Sequence, residues 1–147
     1  MKRMLFTIVV AAVSFLAFTN AANAQSDLDL RATVPFSFVA NNHVFLAGEY
    51  EVTQLRPSLI VLHNMDNRES VAALTQYDRA EKGTTGNPAL IFHHYGDQYF
   101  LSQVIGNSGD EVRQLRVTAA ERKLIKGQGK PQLAVIRVTG PGFKSGD

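Results

Sequence analysis

The sequence of 147 residues contains neither cysteine nor tryptophan. Without cysteine the chain has no disulfide, no thiol nucleophile and no thiolate metal ligand, so its stability must come from an apolar core. The sequence also contains no Gly-x-Ser-x-Gly, no Ser-x-x-Lys and no Gly-x-x-x-x-Gly-Lys. These absences remove the common signatures of serine hydrolases, penicillin-binding enzymes and P-loop nucleotide-binding proteins.

A long hydrophobic run is also lacking, because the apolar segment 5–18 is shorter than the roughly 20 residues of a membrane-spanning helix. The basic residues Lys2 and Arg3 precede this segment, and the small-x-small sequence Ala22-Asn23-Ala24 follows it. This order is typical of a secretory signal peptide. We therefore expect residues 1–24 to be cleaved and the mature chain to be exported to the periplasm or the extracellular space, without a membrane span.

The mature chain has no excess of either charge. Removing Lys2 and Arg3 with the signal peptide leaves 13 basic and 13 acidic residues, a net charge of zero with neutral histidines. Nucleic-acid binding needs a concentrated excess of Lys and Arg, so it is not expected. The length of about 120 residues predicts one domain, residues 25–147, with an ordered core over residues 32–139.

The most distinctive segment, residues 89–105, is predicted to form a β-hairpin about Gly96-Asp97. Aromatic and aliphatic residues flank these two, and glycine in the first turn position favours a type II′ turn, which needs a positive φ there. In this register Tyr95 faces Gln98 and His94 faces Tyr99; further along, His93 would face Phe100, Phe92 would face Leu101 and Ile91 would face Ser102.

Most of the remaining chain alternates polar and apolar residues, with turn residues between the segments. Residues 32–39, 49–54, 59–62, 70–77 and 132–139 are predicted strands, and the first of them contains Pro35, which argues for an edge or a bulge. Thr118 and Glu121 fit a capping box, which predicts a helix from about 119 to 126. The fold is therefore expected to be mainly β, a small antiparallel barrel or sandwich of seven or eight strands with one short helix in the C-terminal half.

Three segments together resemble a family of small exported proteins from acidobacteria. They are Val34-Pro-Phe-Ser-Phe38, Leu46-Ala-Gly-Glu-Tyr50 and the hairpin Phe92-His-His-Tyr-Gly-Asp-Gln-Tyr-Phe-Leu101. The chain has Leu46-Ala47 where the family usually has Leu-Pro. The resemblance spans about residues 33–126, implies export and a β-rich domain, and carries over no catalytic residue.

The hairpin supplies the candidate ligand-binding residues, which are His94, Tyr95 and Tyr99. Successive residues of a strand point to opposite faces, so His93 and His94 cannot bind one metal ion together from a regular strand. No metal site, cofactor or catalytic residue is assigned from the sequence. The strand aromatics either fill the interior of the sheet or leave room for one small apolar ligand.

The sequence leaves three functions open. The first is an exported, non-enzymatic β-domain that binds a small apolar ligand or another envelope component. The second is a structural or protein-interaction module in which the exposed edge of the hairpin pairs with a strand of a partner. The third is a hydrolase that uses His94 or Glu51, since Glu49 and Glu51 share a strand face at the roughly 7 Å that two residues span along a strand.

Overall fold

The computed structural model describes residues 28–79 and 86–138, and in this part the chain is mainly β with one helix, as predicted. The predicted signal peptide, residues 1–24, lies outside the described residues. The elements are β1 (Asp29–Val34), β2 (Phe38–Ala40), β3 (His43–Phe45), β4 (Gly48–Arg56), β5 (Leu59–Asn64), β6 (Ser70–Arg79), β7 (Ala89–Tyr95), β8 (Gln98–Ile105), β9 (Glu111–Leu115), α1 (Ala119–Gln128) and β10 (Gln132–Arg137).

Eight of the strands form one antiparallel series in the order β1-β4-β5-β6-β9-β8-β7-β10. Seven antiparallel pairings separate β1 from β10, so these two strands run in opposite directions. They lie next to each other but are not paired in the described part of the chain, and the sheet is therefore not closed.

The short hairpin of β2 and β3 joins this series at β8, where Val39 pairs in parallel with Phe100. This pairing makes the sheet mixed rather than purely antiparallel. The turn of the hairpin is Asn41-Asn42, and both residues have positive φ, 49° and 62°, which asparagine tolerates better than most residues. The Asn41 side chain donates a hydrogen bond to the Ala72 carbonyl in β6 at 2.9 Å, which ties the hairpin to the sheet.

The predicted first strand, residues 32–39, is two strands in the structure. β1 ends at Val34 and β2 begins at Phe38, with Pro35 between them. Proline has no N–H to donate to a ladder, so β1 ends before it. The chain then continues from β1, at one end of the strand order, to β2, which pairs with β8. This break, together with the strand β9 that the sequence did not indicate, raises the number of described strands from the expected seven or eight to ten.

The continuous apolar run of residues 59–62 in β5 is typical of a strand covered on both faces, but β5 is covered on one face only. Ile60 and Leu62 are fully buried, whereas Leu59 and Val61 are half-buried, so the strand has one inner and one outer face. Its central place in the order, between β4 and β6, explains the apolar composition without a second covering layer.

The interior of the sheet is filled with side chains. Phe38, Phe45, Tyr50 and Phe92 are fully buried, and Phe38 lies among the other three rings at centroid distances of 5.0–5.2 Å. Two of these contacts are edge-to-face, an arrangement that the aromatic quadrupole favours. The aliphatic residues of this core are buried around them and come from eight strands and their flanks: Leu28, Leu30, Ala32, Val34, Ala40, Val52, Ile60, Leu62, Ala73, Leu90, Leu101, Val104, Leu115 and Val138.

The β7–β8 hairpin turns at Gly96-Asp97 as predicted. Gly96 has a φ of 57° and Asp97 has no positive φ, the combination of a type II′ turn. The four predicted pairs nearest the turn are confirmed. The fifth is wrong, because a bulge between Ile91 and Phe92 shifts the register and pairs Ile91 with Gln103.

The helix α1 begins after Thr118, whose hydroxyl accepts a hydrogen bond from the Glu121 N–H at 3.1 Å, as the capping box predicted. It continues past Gly127 to Gln128 and ends at Gly129, which has a φ of 82° and donates its N–H to the Ile125 carbonyl. Within residues 28–79 and 86–138, no helix combines the length and the apolar character needed to cross a membrane.

Candidate functional site

The end of the β7–β8 hairpin places the three predicted site residues on two faces of the sheet. His94 and Tyr99 are directly opposite each other in the ladder and share the face that continues into the core. Tyr95 is on the other face, where its ring contacts His93 and Phe100 edge to face. The structure therefore brings His94 and Tyr99 together and separates Tyr95 from them.

Tyr99 is the middle ring of a three-ring stack. His94 lies 4.1 Å from it at an interplanar angle of 7°, and Phe36 lies 3.8 Å from it at 15°. Two parallel rings this close must occupy opposite faces of Tyr99. Phe36 also packs edge-to-face on the core residue Phe92 at 5.2 Å, so the stack is anchored on the interior of the sheet.

Within the part of the chain that the structure describes, the polar atoms of this stack have no hydrogen-bond partner. Among the described residues, nothing bonds to the Tyr99 hydroxyl or to the ring nitrogens of His94, although both rings are fixed by stacking. The other three histidines are engaged, each at 2.6 Å, His43 by Glu69, His63 by Ser70 and His93 by Glu121. His94 thus differs from them in offering its ring nitrogens to solvent or to a ligand.

Two open grooves flank the hairpin turn. One, of about 350 Å³, is mainly apolar and is lined by Ser37, Phe38, Val39, Val44, Asp97, Gln98 and Tyr99. The other, of about 260 Å³, is mainly polar and is lined by His94, Tyr95, Gly96, Gln128, Lys130 and Gln132. Val44 at the rim of the first groove is 62% exposed, and so is the neighbouring Leu46.

Tyr95 belongs to a buried cluster beneath α1. Its hydroxyl lies 3.5 Å from the Glu121 carboxylate, and the same carboxylate oxygen is 2.6 Å from His93 Nδ1. Burial raises the pKa of Tyr95 above its usual value, and the negative charge of Glu121 raises it further. The sequence did not indicate this cluster, because it assigned Glu121 to the helix cap rather than to a partner in β7.

Glu51, the candidate acid of the hydrolase hypothesis, is held in an ion pair with Arg31 at 3.1 Å on the outer face of the sheet. It faces His63 across the ladder, and His63 Nδ1 in turn bonds to Ser70 Oγ at 2.6 Å. The residues form a polar row across four neighbouring strands. Such cross-strand pairs contribute a few tenths of a kcal/mol to about 1 kcal/mol each to a solvated sheet face.

Within the described residues no group of three or more His, Cys, Asp or Glu side chains is arranged to hold a metal ion.

Comparison of the chain with protein-family models, with curated proteins and with solved structures gave no match.

Proposed function

We propose that this chain is an exported, non-enzymatic binding domain that holds a small apolar ligand in the groove beside Tyr99. The observation that carries the proposal is the stack of His94, Tyr99 and Phe36, which fixes two rings whose polar atoms have no hydrogen-bond partner among the described residues. Ligand sites are typically apolar surfaces with a few convergent polar groups, and this groove has that character.

The filled interior supports a ligand at the surface rather than inside the sheet. The rings of Phe38, Phe45, Tyr50 and Phe92 occupy the centre, where a hollow barrel would hold its ligand. The groove is therefore the better candidate. It places the apolar side chains of Val39 and Val44 beside Tyr99, whose hydroxyl has no hydrogen-bond partner among the described residues. The ligand we expect therefore has an apolar body and one polar end.

The first experiment is native mass spectrometry of the mature protein, purified from the exported fraction without detergent and measured again after denaturation. We expect an additional small-molecule mass that is lost on unfolding. The bare mass of the chain as the only species would argue against a retained ligand.

A titration with the fluorescent apolar anion 8-anilino-1-naphthalenesulfonate locates the site. Val44→Asp introduces a charge at the groove and should weaken binding at least about tenfold, the effect of burying an unpaired charge. Leu55→Asp is the matched control, because Leu55 is 64% exposed but lies outside the residues that line the groove. Equal affinity of the two variants would contradict the assignment of the groove.

The hypothesis that a partner strand pairs with an exposed strand edge cannot apply to the hairpin itself. The β7–β8 hairpin is not an edge, because β10 pairs with β7, and β9 and β2 pair with β8. Among the described strands, β1, β3 and β10 each have a single paired neighbour, and β1 and β10 lie next to each other. A partner strand is therefore the second candidate ligand, and its expected contact is one of these strand edges rather than the hairpin.

A further inference from the structure

The helix α1 is held against the sheet by a carboxylate rather than by an apolar face. Glu121 is its one buried side chain, Leu124 is half-buried, and the other eight residues are exposed. Ile125 is 38% exposed. A helix that packs on a core normally buries an apolar stripe along several turns, and α1 has no such stripe.

The contacts of Glu121 are concentrated at one point. Its Oε1 lies 2.6 Å from His93 Nδ1 in β7 and 3.5 Å from the Tyr95 hydroxyl. The His93 side chain is 22% exposed and that of Glu121 5%, so the pair is largely removed from water. A buried hydrogen bond of this kind is strong while intact, but removing one partner leaves a buried charge without compensation.

The position of α1 also determines the shape of the groove at His94. Gln128, the last residue of the helix, and Lys130, just after it, form one wall of this groove, and Gln132 of β10 continues it. A movement of α1 away from β7 would therefore widen the groove and expose His93 and Tyr95 together.

We infer that α1 is a displaceable helix, anchored by the Glu121–His93–Tyr95 cluster, that opens locally without unfolding the sheet. Elements with few buried apolar contacts have low local stability, and segments that open during binding are drawn from them. The inference is independent of the ligand proposed above, because it depends only on how α1 is held.

Amide hydrogen exchange of the mature protein tests the inference directly. In the wild-type protein we expect the α1 amides to exchange faster than those of β4 and β5, through local opening. In Glu121→Gln the α1 amides should exchange at least about tenfold faster still, the consequence of losing a charge-assisted hydrogen bond. The β4 and β5 amides should keep their wild-type rates.

Glu51→Gln is the matched control, because it makes the same substitution in the partly exposed pair with Arg31 on β1 and should leave α1 unchanged. Two results would overturn the inference: α1 amides that exchange in the wild type at the rate of the sheet amides, or an equal effect of both substitutions on α1. If Glu121→Gln does not fold, the ranking of rates in the wild-type protein decides by itself.

Discussion

At the scale of single residues, the hydroxyl of Tyr50 connects three segments of the chain. The Tyr50 ring is fully buried in the core, and its hydroxyl donates to the Leu46 carbonyl and accepts from Asn64 Nδ2 at 2.9 Å. Asn64 Oδ1 also accepts the N–H groups of Asp66 and Asn67, which shapes the turn between β5 and β6. A polar atom inside an aromatic core is satisfied here by precise placement of its partners.

We predict that Tyr50→Phe lowers the free energy of unfolding by about 1–3 kcal/mol, because it leaves the Leu46 carbonyl and the Asn64 amide without their partner. Urea denaturation monitored by circular dichroism measures this change. Tyr77→Phe is the control, since Tyr77 is 65% exposed and should change stability by less than about 0.5 kcal/mol.

The same hydroxyl makes stability depend on alkaline pH. Burial raises the pKa of Tyr50 above its usual value near 10.0, and burial likewise raises that of Tyr95. The raised pKa means that the folded state favours the neutral phenol, so this stabilisation is complete below pH of about 10 and is lost as pH rises through the folded-state pKa. Denaturation midpoints measured above pH 10 should fall less steeply in Tyr50→Phe than in the wild type, and identical slopes would contradict the prediction.

Gly48 gives a second prediction at a single residue. A Cβ at this position would clash with Asp66 Oδ2, the atom that accepts the Glu49 N–H at 3.1 Å. Gly48→Ala should therefore displace Asp66 and destabilise the protein by about 1 kcal/mol. Gly127→Ala is the contrasting control, because a Cβ there meets nothing and alanine favours the helix over glycine by up to about 1 kcal/mol. Thermal unfolding checks the loss of stability in Gly48→Ala. Slower exchange of the α1 amides checks the gain in Gly127→Ala, because α1 is expected to open without the sheet.

At the scale of elements, the capping of α1 shows how one residue serves two structures. The backbone N–H of Glu121 bonds to Thr118 Oγ1, as in a capping box, while its side chain turns to His93 instead of returning to the Thr118 N–H. The cap therefore directs the anchoring carboxylate toward β7. The first turn of α1 therefore determines both where the helix begins and where it is attached to the sheet.

We predict that Thr118→Ala lowers the local stability of α1 by about 1 kcal/mol, the usual cost of removing an N-cap hydroxyl. If α1 opens independently, the change appears in the exchange of the α1 amides and not in the urea midpoint of the sheet. Thr118→Ser keeps the acceptor and should behave as the wild type. A parallel shift of both measurements in Thr118→Ala would show that helix and sheet unfold together.

At the scale of the whole molecule, one contiguous core joins the strands on both sides of the unpaired β1–β10 seam. Leu30 and Val34 come from β1, and half-buried Ala134 and Ile136 of β10 pack against the same cluster. Within the described residues, apolar packing therefore holds the two ends of the sheet next to each other. The core is also where the aromatic residues of the two halves of the chain meet.

Alanine substitutions of Phe38 and Phe36 should separate the contribution of the core to stability from the contribution of the stack to ligand binding. Phe38 is fully buried among three aromatic rings, so Phe38→Ala should cost about 3–5 kcal/mol. Phe36 is half-buried in the stack, so Phe36→Ala should cost less in stability but reduce dye binding by releasing Tyr99. Urea denaturation and dye titration of both variants test this, and full dye binding by Phe36→Ala would remove the stack from the site.

Sequence patterns that span only a few residues predicted several features of this structure. Alternation predicts the burial of Tyr50 and Val52 in β4, glycine predicts the turn at Gly96, and the Thr118 hydroxyl predicts the start of α1. Each of these depends on residues a few positions apart, through backbone sterics or a nearby hydrogen bond.

The strand β9 shows why other elements were missed. Its central residue, Arg113, looks like a surface cation in the sequence but is buried, where it donates to the Pro57 carbonyl and, at 3.1 Å, to Gln54 Oε1. These two acceptors are more than fifty positions away in sequence, whereas Glu111, which forms an ion pair with Arg113, is two positions away. A buried polar side chain needs hydrogen-bond partners, and no local sequence pattern predicts the two distant ones.

The sequence by itself determined the mainly β class, the hairpin with His94 facing Tyr99, and the helix after Thr118, because periodicity, turn chemistry and capping act over short stretches of chain. Only the tertiary structure decided that Phe36 completes the stack on Tyr99, that Glu121 anchors α1 to His93, and that the hairpin lies inside the sheet rather than at its edge. Those outcomes depend on which strands become neighbours, and that choice is made by burial of the whole apolar surface at once.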